Sequence, residues 1–298
     1  MNRVNYTVII PHFSKGDTCL LNRAVSSIPQ RDDLQVLVVD NSPIPIPDSL
    51  FIDRSDVTIL YSDNSRFAGG ARNVGIGQSK GKWLIFMDAD DFFTQDAFEI
   101  FDEYKDSNND IIYFKSNSKY SDTLENANRS VGYNTLVDEY LKTADDMRLR
   151  TEFNVPWAKM INRSFIEENN ILFDEVPASN DMMFSLLSGL AAHQIAADAR
   201  EVYCVTVSKG SITNSISLRN LESQFDVNIR INAVLVKHGL KKNASVMYFI
   251  YQSLSFGIRP FLKFVYKALI TGNLLVGWKS WIRTLVTIKR YKQYEINA

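Results

Sequence analysis

The stretch Trp83-Leu84-Ile85-Phe86-Met87-Asp88-Ala89-Asp90-Asp91 runs five apolar residues straight into three carboxylates. Such an apolar run reads as a strand covered on both faces, the kind found inside a parallel sheet. In open α/β sheets, ligands bind beyond the carboxyl ends of these strands. Acids placed there do nothing for the core, and each repels the others. A divalent cation removes that repulsion, and Mg²⁺ sites combine one or two carboxylates with substrate phosphates. The competing reading is a solvated acidic turn ahead of the next helix.

On the amino-terminal side, Tyr6 to Pro11 reads as a first strand, Leu34 to Val39 as a second and Val57 to Tyr61 as a third. Thr18 is placed to cap a helix burying Leu21, Val25 and Ile28. Pro43, Pro45 and Pro47 forbid regular structure after the second strand. Gly69-Gly70 opens a helix through Arg72 and Ile76 that stops near Gly81, and Thr94 is placed to cap the helix after the acids. Strands and helices alternating at this spacing predict a doubly wound, mostly parallel α/β sheet. Further on, the pattern predicts strands at Ile111 to Phe114, Pro156 to Ile161 and Val202 to Val207, and helices at Thr135 to Met147 and Asp181 to Ala192. It predicts a polar loop over Asn117 to Asn128. From Leu218 the chain reads as all-helical.

With 45 % hydrophobic and 22 % charged residues, the 298-residue chain is of ordinary globular composition and not disordered. Cys19 and Cys204 lie far apart and form no CxxC, so both are expected as reduced core thiols. Met1 to Tyr6 shows no secretory apolar region, and no apolar run reaches the roughly 18 residues of a membrane-spanning helix, so a cytoplasmic location is expected. The net charge of −1 hides an asymmetry: residues 240–298 carry +9 and residues 1–239 carry −10. That split marks an organisational boundary.

Three strand ends present polar groups in succession: His12, then Asp40-Asn41, then Asp88 to Asp91. Arg72 sits at the start of the intervening helix, where glycines and a helix N-terminus suit a phosphate and the guanidinium suits a phosphate or a base edge. Neither a GxGxxG after the first strand nor a GxxxxGK[ST] is present, so a nucleoside diphosphate held by a metal fits better than a dinucleotide or P-loop site.

Val8-Ile9-Ile10-Pro11, Val38-Val39-Asp40-Asn41-Ser42, Gly70-Ala71-Arg72-Asn73-Val74-Gly75-Ile76 and Phe86-Met87-Asp88-Ala89-Asp90-Asp91 follow the order and spacing of family 2 glycosyltransferases. Ile171 to Glu175, then Asn180 to Phe184, resembles that family's acceptor-side segment. Tyr203 to Ser211 resembles the strand and loop that end its catalytic core. The resemblance covers residues 4 to 215. It implies the A-type fold: a Rossmann-like, mostly parallel sheet with helices on both faces, here as a catalytic domain 1–215 with a helical extension 216–298. It also implies inverting, Mn²⁺- or Mg²⁺-dependent transfer of a sugar from a nucleotide-sugar donor, best matched by a UDP-sugar, to a glycan or lipid-linked acceptor in surface-polysaccharide synthesis.

By the same resemblance, Asp181 is the general base and Asp90 the metal ligand. Pro11, Asp40, Asn41, Arg72, Asp88 and Ala89 would hold the donor, with Asp91, Asn180 and Trp157 as further site residues; His12, where the family often has an apolar or aromatic residue, could line the same pocket. Each has a plainer alternative. Asp40 and Arg72 could form an ion pair tying two loops, Asp181 could serve as a first-turn helix acid, His12 could be a packed loop residue, and Trp157 could be core. The family's Glu-Asp is Asn180-Asp181 here, and its Asp-Asp-Gly-Ser is Asp40-Asn41-Ser42-Pro43. These departures leave room for a catalytically degenerate scaffold in polysaccharide assembly. A nucleotidyltransferase of related fold would need a basic cradle near the first strand, where Lys15 stands alone.

In the extension, Arg259, Lys263 and Lys267 form one helical stripe, faced by Leu262, Val265, Tyr266 and Leu269. Trp278, Trp281, Leu285 and Ile288 repeat the theme against Lys279, Arg283, Lys289 and Arg290. Basic, aromatic-rich amphipathic helices lie in membrane interfaces, so peripheral association with an anionic membrane through residues 246–292 is expected. Packing on the catalytic domain or on a second copy of the chain is the alternative. Nucleic acid fits less well, because the aromatics keep core-like spacing and the rest of the chain is acidic.

Overall fold

A computed structural model describes residues 4–14, 16–207 and 217–277. The chain divides into two compact units: Met1–Val176 with Asn180–Asn214, and Pro177–Ser179 with Ser215–Ala298.

In the first unit the described residues form an eight-stranded sheet of order β3-β2-β1-β4-β7-β6-β8-β5. The strands β1 (Tyr6–His12), β2 (Leu34–Asp40), β3 (Val57–Tyr61) and β4 (Trp83–Phe86) are parallel. The near-continuous apolar runs of β1, β2 and β4 are buried on both faces, as the sequence pattern predicts, while β3 at the sheet edge is half-exposed. Register pairs His12 with Asp40 and Ile9 with Phe86, so the ends of β1, β2 and β4 open on one side.

The other half is mixed. The strand β7 (Lys159–Asn162) is antiparallel to β4 and to β6 (Ile111–Tyr120), β6 is parallel to β8 (Ile195–Val207), and β5 (Phe92–Phe93) is antiparallel to β8. Here several expectations fail. Asn117 to Tyr120 is strand, not loop, because it pairs with Cys204 to Val207. Pro156 to Ala158 is a bend, with Ala158 at φ 53°, and β7 begins only at Lys159.

Seven helices of this unit are α1 (Cys19–Ser26), α2 (Phe67–Gln78), α3 (Ala97–Glu103), α4 (Val131–Thr143), α5 (Met147–Glu152), α6 (Arg163–Glu168) and α7 (Met182–Ala191). The α2 helix packs on β1 and β2, α4 on β6 and β8, and α3 on β8. The helix expected over Thr135 to Met147 starts earlier and breaks at Ala144, whose φ of 57° stops it. Neither Thr18 nor Thr94 caps through its side chain. Asp17 accepts from the Cys19 N–H at 2.9 Å, while the Thr94 hydroxyl donates to the Glu201 carbonyl at 2.8 Å and ties β5 to β8. Cys204 is buried as expected, but Cys19 is exposed at the start of α1.

Among the described residues the second unit holds α8 (Leu218–Lys237), α9 (Met247–Ser253) and α10 (Ile258–Ile270) around Leu221, Phe225, Val246, Ile250, Phe264 and Ala268. Asn232, fully buried, donates to the Ala244 carbonyl and the Asn273 side chain and accepts from the Asn243 and Ala244 N–H groups, which fixes the connections around it. The basic stripe of α10 does not face outward as a unit. Lys263 pairs with Glu222 and Lys267 with Asp226, both on α8. Leu262, Tyr266 and Leu269 are exposed instead, and of that stripe only Val265 packs on the core. The second amphipathic segment, Trp278 to Arg290, lies outside the described residues. Among the described residues no helix is long and apolar enough to cross a membrane.

Candidate active site

Pro11, His12, Arg72, Asp88, Ala89 and Asp90 line one cleft of about 370 Å³ at the carboxyl ends of β1 and β4, together with Phe13, Asp17 and Ala68. Among the described residues, His12 Nε2 and Arg72 Nε are buried without a partner. An unmatched buried polar atom costs roughly 1–3 kcal/mol, so both mark places where a polar ligand is stabilised. Burial lowers the His12 pKa against the pull of Asp40, which keeps the ring neutral.

Asp40 and Asn41, expected to hold the donor, do not line this cleft and are 2 % and 4 % exposed. The Asp40 carboxylate accepts from the Ser42 N–H (3.1 Å) and hydroxyl (2.5 Å) and from the Ile46 N–H (2.9 Å). It therefore closes the proline-rich loop upon itself. The Asn41 N–H donates to the His12 carbonyl at 3.0 Å.

The three acids after β4 divide their tasks. Asp91 is buried, and β8 engages both of its oxygens: the Tyr203 hydroxyl donates to one at 2.7 Å and the Thr206 N–H to the other at 2.6 Å. Burial raises its pKa well above the usual carboxylate range, and Asp90 and Asp88 add to the rise. The Asp88 N–H donates to the same Tyr203 hydroxyl at 3.0 Å. Trp157, 2 % exposed, stacks on the Tyr203 ring at 5.4 Å, so it is core beneath the acidic turn and presents no surface to an acceptor. The Asp90 carbonyl accepts from Arg23 (2.6 Å) and the Thr206 hydroxyl (2.9 Å), which pins the turn. Its carboxyl pKa is raised by burial and then by Asp88, with Arg129 and Arg23 opposing.

Among the described residues no cluster of three or more His, Cys, Asp and Glu could by itself hold a metal ion. Asp88 and Asp90 in one cleft, with charge not fully offset, instead fit a hard divalent cation that takes its remaining oxygens from a substrate.

Arg72 joins the two sides of the site. It donates to Asp88 at 2.6 Å and to the Asn180 side chain at 2.7 Å, with its guanidinium 5.2 Å from the Phe173 ring centre. Its ion pair is with Asp88, not with Asp40. The amide at Asn180 thus still accepts from the guanidinium. The first turn of α2 comes close to the segment Ile171 to Glu175 because Gly69 has no Cβ, which would sit 1.9 Å from the Asp174 carbonyl oxygen. Asn73 clamps that segment as a strand partner would: its amide donates to the Phe173 carbonyl at 3.0 Å and accepts from the Phe173 N–H at 2.8 Å. We expect Asn73→Ala to lose about 1–3 kcal/mol of unfolding free energy, since three bonds go, one of them to the exposed Glu175 carboxylate, and two backbone groups are left unmatched. Urea denaturation midpoints with an unchanged m-value check this.

Asp181 immediately precedes α7, yet its side chain makes no capping hydrogen bond to the helix. Burial raises its pKa, Arg72 and Lys159 lower it, and Asp88 raises it. Lys159 is 1 % exposed, donates to the Phe153 carbonyl at 2.8 Å and lies 4.8 Å and 5.1 Å from the Phe153 and Tyr113 ring centres. Burial pushes its pKa down to about 7 against the pull of Asp181.

Sequence reasoning missed Arg23, Asn73, Tyr203 and Thr206. Their partners lie about a hundred residues away apart from Arg23 with Asp90, and no local spacing signals them. Lys15, the one cation placed to cradle a triphosphate, lies outside the described residues.

Residues 7–169 match the family model described as glycosyl transferase family 2. The succinoglycan biosynthesis protein ExoO of Rhizobium meliloti is 24 % identical over 231 residues, covering 73 % of this chain and 65 % of that protein. The poly(ribitol-phosphate) beta-N-acetylglucosaminyltransferase TarP of Staphylococcus aureus is 22 % identical over 272 residues, covering 80 % of this chain and 81 % of that protein. The crystal structure of S. aureus TarS 1–349 in complex with UDP-GlcNAc shares the fold, with a TM-score of 0.58 at 16 % identity over 89 % of this chain and 72 % of that one.

Proposed function

This chain belongs to glycosyl transferase family 2, and from that membership we propose that it is an inverting glycosyltransferase using a UDP-sugar donor. Its acceptor is a hydroxyl of a glycan or lipid-linked glycan in surface-polysaccharide synthesis, met at the cytoplasmic face of the membrane. The observation that carries this reading is the placing of Arg72 between the acidic cleft and the residue before Asp181.

In this reading the cleft takes the nucleoside diphosphate, and His12 and Arg72 offer their unmatched nitrogens to it. Asp88 and Asp90 would hold a Mn²⁺ or Mg²⁺, which when bound offsets the negative charge that builds on the leaving diphosphate. Arg72 adds a fixed positive charge on the same side, held in place by Asp88, Asn180 and the Phe173 ring. Inversion requires a base on the opposite face of the sugar. Asp181, not used as a cap and with a raised pKa, takes the proton of the attacking hydroxyl. Asp91 acts on the turn that carries Asp88 and Asp90 and not on the substrate. A scaffold without catalysis gains no support, because Asn180 keeps the bond to Arg72 that an acid would make.

Calorimetric titration with UDP, GDP, dTDP and CDP, each with and without Mn²⁺, tests the proposal. The expected result is Mn²⁺-dependent binding of UDP over the others. Absence of binding to every nucleotide would overturn it.

A further inference from the structure

The outward side of α10 carries Ile258, Leu262, Tyr266, Leu269 and Ile270, exposed to between 56 % and 66 %. Their spacing of four, four and three or four residues puts them on one face of the helix. The opposite side carries Phe264 and Ala268, buried against α8, with Phe225 and Phe264 ring centres 4.4 Å apart. The helix is therefore apolar on two sides, and packing among the described residues of its unit accounts for only one. Single exposed apolar residues need no explanation, but five in one row are the mark of an interaction surface.

The charge around the row restricts what covers it. Over the described residues 227–277 the chain has no acid and seven Lys and Arg. Arg259 and Lys263 follow Ile258 and Leu262 directly, so cations flank the apolar row, and Lys263 keeps 63 % of its side chain exposed while reaching Glu222. A second copy meeting this face by two-fold symmetry would bring two basic surfaces together. A surface that is anionic, and apolar just beneath its charge, matches both features at once.

We infer that the exposed row of α10 is the element of this chain that inserts into an anionic phospholipid surface. The basic stripe predicted to do so from sequence is in part committed to α8. The inference deepens the lipid-linked acceptor reading by naming the contact, and it is tested without donor or acceptor, so failure of either is seen separately.

The experiment is flotation of the full chain with vesicles of phosphatidylglycerol and phosphatidylcholine, and with phosphatidylcholine alone. A Leu262→Ser/Tyr266→Ser/Ile270→Ser variant is run beside it, with matched thermal unfolding as the check on folding. If the variant unfolds early, the single substitution Tyr266→Ser replaces it. Wild type is expected to float with the anionic vesicles. The triple variant is expected to bind them on the order of ten- to a hundredfold more weakly, and the single variant several-fold more weakly. Variant binding equal to wild type would overturn the inference. So would equal wild-type binding to both vesicle types, or a wild-type dimer that the variant converts to monomer without any vesicle binding.

Discussion

Replacing Asp181 by Asn is expected to lower kcat by about a thousandfold while leaving nucleotide binding in place. A positioned general base contributes on the order of 10²–10⁴ in rate, and an amide of nearly the same shape keeps the geometry while losing the proton acceptor. The carboxylate makes no capping bond, so α7 should be unaffected. The pH profile supplies a second readout. Burial raises the Asp181 pKa above its ordinary value of 3.8, and the base works only when ionised, so the acid limb of kcat should lie above that value and vanish in the variant. Stability should move the other way. A carboxyl whose folded pKa is raised contributes stability that is full below the unfolded pKa and is lost as pH rises through the folded one. At neutral pH the wild type holds an ionised group that its surroundings disfavour, so Asp181→Asn should unfold at a higher temperature. A variant with wild-type kcat would remove Asp181 from the mechanism.

The second large effect is at Asp90. Asp90→Ala should abolish the Mn²⁺ dependence of UDP binding and lower the transfer rate on the order of a hundredfold or more, the scale seen when one charge-stabilising group is removed. The fold should survive, because the turn is held through the Asp90 carbonyl, which the substitution keeps, and through the Asp91 carboxylate. Calorimetry with and without Mn²⁺, beside a transfer assay, checks both parts. Undiminished metal-dependent binding in the variant would place the cation elsewhere.

These two acids show how different parts of the site were legible. Asp88 and Asp90 follow an apolar strand directly, so their place at a sheet end could be read from a nine-residue window. Asp181 could be read from its motif, but its freedom from capping duty could not. Asp91 looks the same as Asp90 in sequence, and only the Tyr203 hydroxyl and Thr206 N–H separate a buried strut from a cleft ligand. Trp157 reads in sequence as core first, with the acceptor side as the alternative, and its stacking on Tyr203 places it in the core.

The parallel half of the sheet was determined by the sequence itself. Doubly buried strands must be apolar nearly along their length, and β1, β2 and β4 are; these and the half-exposed edge strand β3 have bounds within a residue of those read from the pattern. The tertiary structure alone decided the mixed half. Asn117 to Tyr120 and Ile195 to Asp198 carry no strand-like apolar signal and are held extended by pairing, the first with Cys204 to Val207 and the second with Ile111 to Phe114. It alone also decided the clamp of Asn73 on Phe173, the pinning of the acidic turn by Arg23 and the turning of the α10 apolar row outward while Lys263 and Lys267 reach α8. The physical reason is the same in each case. Hydrophobic periodicity is written residue by residue along the chain, whereas a hydrogen bond or an ion pair depends on where a distant segment arrives.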